Sequence, residues 1–246
     1  MADGITPILM EALKDIGIDL SQKNYHSLEV YAELLREKNK VMNLTNIVDD
    51  EGVAIRHFAD SLTLLPYIAA EQAKQKRKKL SIIDVGTGAG FPGVPLKIAV
   101  PDLDLTLMDS LQKRLNFLNE VAGELKFDTY RTLHSRAEDA GKDKKTREQY
   151  DIATARAVAS LPVLCEYCLP FVKVGGVFLA MKGHSEDEVA ASGKAIAVLG
   201  GKIEKVDEFM LPGTDMNRSI VVVRKTKHTP QQYPRQAGKP TKNPIS

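Results

Sequence analysis

Residues 81–98, SIIDVGTGAGFPGVPLKI, constrain the fold more than any other stretch of this chain. A short apolar run ends in Asp84, glycines follow at every second position (Gly86, Gly88 and Gly90), and a helix-forming segment comes next. A strand that turns through glycines into a helix opens a βαβ unit, and so bare a turn lets a ligand lie against its backbone. The same texture continues from Leu80 onward. LSIIDV, LDLTLMD, TYRTLHS, YDIATA and GGVFLAMK alternate with helical segments, then KIEKVDEFM and RSIVVVR follow with no room for a full helix between them. This alternation predicts a mostly parallel sheet with a ligand at the carboxyl ends of its strands. The last two runs are expected to pair antiparallel at one edge.

The region before Leu80 reads as helices. Ser21 is placed to cap one, and Tyr25, Leu28, Tyr31, Leu34 and Leu35 recur at helical spacing. A second helical run carries Phe58, Leu62 and Leu65 on one face, with the polar turn NLTN (43–46) between the two. The expected organisation is a helical segment over 1–73, a basic connector KQKRKK at 74–79, an α/β domain over 80–225 and a tail over 226–246. From Arg224 onward there are six Lys or Arg, no Asp or Glu, and four prolines, so the tail is expected to be flexible and suited to a polyanion. The 246 residues are 43% hydrophobic and 27% charged, the balance of an ordinary soluble protein. No apolar run is long enough to span a membrane, the start lacks the features of a secretory signal, and two cysteines do not make a disulfide scaffold. A cytoplasmic, monomeric protein without a membrane partner is the expectation.

The glycine turn discriminates among ligands. A nucleoside triphosphate would need Gly-Lys-Ser/Thr after the glycines, which is missing. The dinucleotide fingerprint fits Gly86 and Gly88 but puts Phe91 where a small residue must pack. Asp84 at the strand tip would repel a pyrophosphate and attract the ammonium and sulfonium of S-adenosylmethionine. DVGTGAG reads as the D-x-G-x-G-x-G loop of Rossmann-like methyltransferases. Asp109, at the end of the next strand, suits a bidentate contact to ribose hydroxyls, a device shared with dinucleotide enzymes. SRAE (135–138) follows the third strand, where Ala137 and Glu138 are candidates for the adenine side.

The methyl acceptor is read from what is missing. No Asn/Asp-Pro-Pro-aromatic motif for exocyclic amines is present, and neither Cys165 nor Cys168 follows a proline as a cytosine-C5 nucleophile would. The CEYC pair reads as buried structural cysteine, and two thiols do not complete a zinc site. Guanine N7 carries no proton and presents a lone pair, so its methylation needs positioning rather than a base.

NLTNI, RHFADSL, DVGTGAGFPGVPLKI, DSLQKRLNFL, SRAE, TARAVASL, MKG and YPRQAGKPTKNPI occur together and in order. From about Tyr25 to the end the chain resembles the glucose-inhibited division protein B family, the bacterial N7-guanosine methyltransferases of 16S rRNA. The resemblance implies a Rossmann-like class I methyltransferase fold with a seven-stranded, mostly parallel sheet. It also implies methyl transfer from S-adenosylmethionine to N7 of a guanine in the 530 loop, with 16S rRNA or the small ribosomal subunit as partner. By motif match Gly86, Phe91, Ala137, Glu138 and Arg156 become cofactor-site or active-site positions.

Arg156 and Lys182, after the fourth and fifth strands, are the candidate catalytic residues, expected to contact RNA backbone or base. Arg218, Asn43 and His57 are further RNA-binding candidates, with Asp60 in the same helical segment. A lone histidine on a helix is more often a hydrogen-bonded structural group, and both readings of His57 stay open. So do two alternatives to the rRNA methyltransferase reading, a small-molecule methyltransferase and a non-catalytic rRNA-binding assembly factor; a third, an NAD oxidoreductase, is disfavoured by Phe91 and Asp84.

Overall fold

The computed structural model describes residues 4–245. Helices α1 (Ile5–Asp15) and α2 (Gln22–Met42) open the chain. Ser21 caps α2 reciprocally: its hydroxyl accepts from Asn24 N at 3.2 Å, and the Asn24 side chain accepts from Ser21 N at 3.1 Å. Tyr25, Leu28, Tyr31 and Leu35 form the buried face of α2, as their spacing predicts. The second helical run is wound differently from expectation. Gly52–Ala59 is a π-helix that continues into the short α3 (Asp60–Leu62), and α4 (Leu65–Gln75) follows. Every residue of the π-helical stretch except Arg56 is buried.

Strands β1 (Ser81–Val85), β2 (Asp104–Asp109), β3 (Tyr130–His134), β4 (Tyr150–Arg156), β5 (Val172–Lys182), β6 (Gly201–Met210) and β7 (Asn217–Lys225) form one sheet in the order 3-2-1-4-5-7-6. The first five run parallel, and β7 lies antiparallel between β5 and β6. The expected antiparallel pair is therefore present, with β6 alone at the edge. Helices α5 (Gly93–Ala99), α6 (Gln112–Glu124), α7 (Ala137–Ala140), α8 (Leu161–Cys168) and α9 (Glu186–Val198) fill the connections.

Adjacent residues of each central strand point to opposite faces, so Ile82 packs in one core and Ile83 in the other. The first core joins Ile82, Leu105, Leu107 and Ile152 of the sheet to Tyr31, Leu35 and Phe58. The N-terminal helices therefore share a hydrophobic core with the sheet. The second core packs Ala153, Ala155 and Phe178 against Leu161, Leu164, Cys165 and Cys168 of α8. Both thiols are free and fully buried, and burial raises their pKa values.

The tail differs from its sequence-based expectation. Residues 226–245 lie against the body, with a short helix α10 (Lys239–Lys242) and Ile245 in the second core. The cations that suggested a free arm are partly neutralised in place. Lys225 is fully buried, donating to Leu169 O at 2.6 Å and pairing with Glu148 at 3.2 Å, and Arg235 pairs with the buried Glu166 at 2.6 Å.

Candidate active site

The strand order reverses between β1 and β4, so the crevice outside their carboxyl ends is where a doubly wound sheet takes its ligand. Asp84, the three glycines, Asp109 and Arg156 all sit at that edge. Gly86 N and Thr87 N each donate to Met108 O at 2.9 Å, which ties the glycine turn to the end of β2. Asp84 is fully buried, and its Oδ2 accepts from Thr87 Oγ1 at 2.7 Å and Gly93 N at 2.9 Å, fastening both ends of the turn. Its Oδ1 has no partner among the described residues.

Burial pushes the Asp84 pKa up to about 6, while the Thr87 and Gly93 hydrogen bonds pull it down. At neutral pH the group is mainly ionised, with one unpartnered oxygen beneath the glycine turn. Gly88, at φ +60, has nothing within 4 Å of where a Cβ would be, so the outer surface of the turn is open. A buried acid behind bare backbone fits an adenosine ligand that carries cationic groups. Gly86 is needed for a different reason: at φ +72 its Cβ would meet Val158 Cγ2 at 2.9 Å. Val158 arrives there because Ala157, at φ 56, turns the chain sharply after β4.

Asp109 is only 3% exposed. It accepts from Leu111 N at 2.9 Å, Gly88 N at 3.0 Å and Arg114 Nη1 at 3.2 Å. The side chain assigned to ribose hydroxyls thus already joins the glycine turn to the start of α6, and a ribose would share its oxygens with Arg114. Ala137 and Glu138 open α7 and are buried, and Glu138 Oε1 accepts from Gly238 N at 2.9 Å.

Phe91 packs against both His57 and Arg156, which also touch each other. His57 stacks on it with centroids 4.3 Å apart, and the Arg156 guanidinium lies 5.0 Å from its ring centroid. Arg156 Nη1 donates to Asp60 Oδ2 at 2.8 Å and to Arg56 O at 3.1 Å, while Nη2 is 3.3 Å from His57 Nδ1. A guanidinium only donates, so Nδ1 accepts and the ring proton sits on Nε2, directed at Thr45 Oγ1 2.9 Å away. Burial, reinforced by the Arg156 charge, depresses the His57 pKa to about 3, so the imidazole is neutral. His57 is a hydrogen-bonded, stacked group that also lines the cavity beside it.

Beside this stack lies a cavity of about 420 Å³, lined on its polar side by Arg56, Asp60, Arg156, Lys182 and Arg218. Lys182 donates to Ala159 O at 3.0 Å and pairs with Glu188 at 2.9 Å. Arg218 Nε donates to Asp60 Oδ1 at 2.9 Å. The structure therefore brings Arg156, Lys182, Arg218 and His57 together. Asn43 stands apart, as the exposed left-handed C-cap of α2. A second, mainly apolar cavity of about 290 Å³ lies between α4 and strands β5 to β7, and residues of the glycine turn line neither cavity.

Sequence reasoning named Asp60 without a role and missed Arg56 and Tyr31. Tyr31 donates its hydroxyl proton to Ala89 O at 2.5 Å, so α2 buttresses the glycine turn. Its spacing in α2 announced only a core position. No group of His, Cys, Asp and Glu able to hold a metal occurs among the described residues.

The sequence model of the family described as rRNA small subunit methyltransferase G matches residues 24–220. The chain belongs to that family. A ribosomal RNA small subunit methyltransferase G from Acetivibrio thermocellus is 51% identical over 97% of this chain and 96% of its own. Its counterpart from Clostridium botulinum is 46% identical over 97% and 98%. Among solved structures, the YcgJ protein from Bacillus subtilis is similar at a TM-score of 0.51 and 14% identity, covering 68% of this chain and 98% of its own, a likeness of fold alone. The family membership agrees with the resemblance carried by the sequence motifs. No helix among the described residues is long and apolar enough to cross a membrane.

Proposed function

We propose that this methyltransferase transfers the methyl group of S-adenosylmethionine to N7 of a guanine in the 530 loop of bacterial 16S rRNA. The observation that carries the reading is a cationic cavity, bordered by Arg156 and Ala157 at the end of β4, that contains no free general base among the described residues. His57 is neutral with both ring nitrogens engaged, and each oxygen of Asp60 accepts from an arginine. An acceptor that must lose a proton would find no acceptor for it there. N7 of guanine loses none.

Asp84, Gly86, Gly88, Gly90, Phe91, Asp109, Ala137 and Glu138 are the residues that would hold the cofactor. When bound, it supplies an electrophilic methyl whose bond to sulfur breaks as the N7–carbon bond forms, with no proton to remove. Arg56, Arg156, Lys182 and Arg218 favour a polyanionic substrate at the cavity and hold its phosphate or base edge. Phe91 packs against His57 and Arg156 at the end of the glycine turn and holds these two cavity-lining residues in place, which orients the acceptor. Asp60 offsets part of the cationic charge, which eases the positive charge that the base acquires. Asn43 extends the contact surface from the end of α2.

The test is incubation with tritiated S-adenosylmethionine and small subunits from cells lacking this methylation. Salt-sensitive labelling of the RNA supports the reading. Label on free nucleosides or metabolites, insensitive to salt, would replace it with a small-molecule methyltransferase. Cofactor and RNA binding without transfer would replace it with an assembly factor.

A further inference from the structure

The C-terminal residues are the most heavily anchored part of the chain that the reaction above does not use. Arg235 approaches the buried Glu166 of α8 from two directions. Its backbone N donates to Oε1 at 2.7 Å, its Nε lies 2.9 Å from the same oxygen, and its Nη2 donates to Oε2 at 2.6 Å. Glu166 is 1% exposed, so its charge depends on this partner. Three residues later Gly238 adopts φ +79, a conformation that glycine takes without strain. In that conformation its N–H meets Glu138 Oε1 at 2.9 Å. Beyond it, Thr241 Oγ1 is 2.9 Å from the Tyr167 hydroxyl and Ile245 enters the second core. Upstream, Arg147 donates to the carbonyls of Thr229 at 2.6 Å and Tyr233 at 2.7 Å.

Glu138 stands in the first turn of the four-residue α7, and the groups facing its carboxylate are the Gly238 amide and the Tyr167 hydroxyl. The neutral amide of Gly238 holds one carboxylate oxygen and sets the direction of the other. We propose that residues 233–241 are a positioning strap for the cofactor site: Arg235, locked on Glu166, presents Gly238 N–H to Glu138 and so holds that carboxylate ready for the adenosine of S-adenosylmethionine. The strap rests on the cofactor reading above. It assigns the basic tail to the cofactor side of the site, away from RNA capture. Arg235 is a positioning residue, since it acts only through Gly238 and Glu138.

The test compares binding of S-adenosylhomocysteine to the wild-type chain, Arg235→Ala, Arg235→Lys and Arg147→Ala, together with the apparent KM for the small-subunit substrate. Arg235→Ala is expected to bind at least about ten-fold more weakly, the cost of a misplaced polar contact. Arg235→Lys should recover part of that loss, and KM for the RNA should not move. Arg147→Ala removes the bonds to Tyr233 O at the start of the strap and to Gly141 O at the end of α7, and should weaken binding clearly less than Arg235→Ala. Unchanged affinity in Arg235→Ala, or an equal loss in Arg147→Ala, would overturn the strap. A measurement on the wild-type chain alone does not depend on how the variants fold. Adding S-adenosylhomocysteine should slow amide exchange in residues 235–242, and no change there would also overturn the proposal. Failure of the wild-type chain to bind the compound at all would remove the cofactor reading and the strap together, whereas normal wild-type binding with an unaffected Arg235→Ala removes the strap alone.

Discussion

Asp60 joins Arg156 to Arg218. One oxygen accepts from Arg156 at 2.8 Å and the other from Arg218 at 2.9 Å, so a single buried carboxylate ties the start of α3 to the ends of β4 and β7 that face the cavity. Removing one member of a buried ion cluster leaves the others without a counter-charge, at a cost of about 3–5 kcal/mol. Asp60→Ala is therefore expected to lower the unfolding free energy by that order in denaturant titration. Asp60→Asn keeps the shape, and its loss should fall on transfer to RNA while affinity for S-adenosylhomocysteine stays close to wild type.

Arg156 acts through its fork as well as its charge. Its two terminal nitrogens reach Asp60, the Arg56 carbonyl and His57 while its guanidinium carbon lies over Phe91, 5.0 Å from the ring centroid. A lysine cannot reproduce that geometry. Arg156→Lys and Arg156→Ala should both reduce methylation of small subunits, each by about 100-fold if Phe91 shifts by about 1 Å. Substantial rescue by lysine in a single-turnover assay would show that charge alone is needed.

Gly86 and Gly88 are expected to fail differently when changed to alanine. At Gly86 the new methyl would meet Val158 at 2.9 Å, so both stability and cofactor binding should drop. At Gly88 no atom lies within 4 Å, and the fold meets only the left-handed backbone cost of about 1–2 kcal/mol. Gly88→Ala should remain folded by circular dichroism yet bind S-adenosylhomocysteine poorly, because its methyl occupies the surface a ligand would use. Retained affinity in Gly88→Ala would place the ligand elsewhere.

The two perturbed groups of the site push stability in opposite directions with pH. His57 has its pKa depressed from 6.5 to about 3, so between those values the unfolded chain binds the extra proton and stability falls as pH drops. Asp84 has its pKa raised from 3.8 to about 6, so the folded chain binds the extra proton between those values and stability rises as pH drops. His57→Gln should therefore lose less thermal stability than wild type between pH 6.5 and about 5. Cofactor affinity should weaken as pH falls through about 6 and Asp84 is neutralised, and Asp84→Asn should abolish that dependence. A flat affinity profile in the wild-type chain would contradict the role given to Asp84.

The glycine turn, the alternation of strands and helices, and the acids at the ends of β1 and β2 were legible because each depends on residues adjacent in sequence. The direction of their chemistry was less so. Asp84 and Asp109 read as acids open to a ligand, but both are buried and bind the turn itself, since loop amides without partners must find acceptors. The Asp60–Arg156–Arg218 cluster was hidden because its members lie far apart in sequence and meet only when β7 inserts beside β5. The tail misled for a related reason. Its local composition is that of a free basic arm, while the acids that hold it, Glu148 and Glu166, lie in other parts of the chain.

The central claim is tested most directly by mapping the product at nucleotide resolution. Small subunits lacking the mark are treated with the purified chain and S-adenosylmethionine, and the 16S rRNA is cleaved with borohydride and aniline at N7-methylguanine. One new cleavage, at a guanine of the 530 loop, absent with Gly88→Ala, is the predicted result. Methyl incorporation without cleavage in that loop would contradict the account.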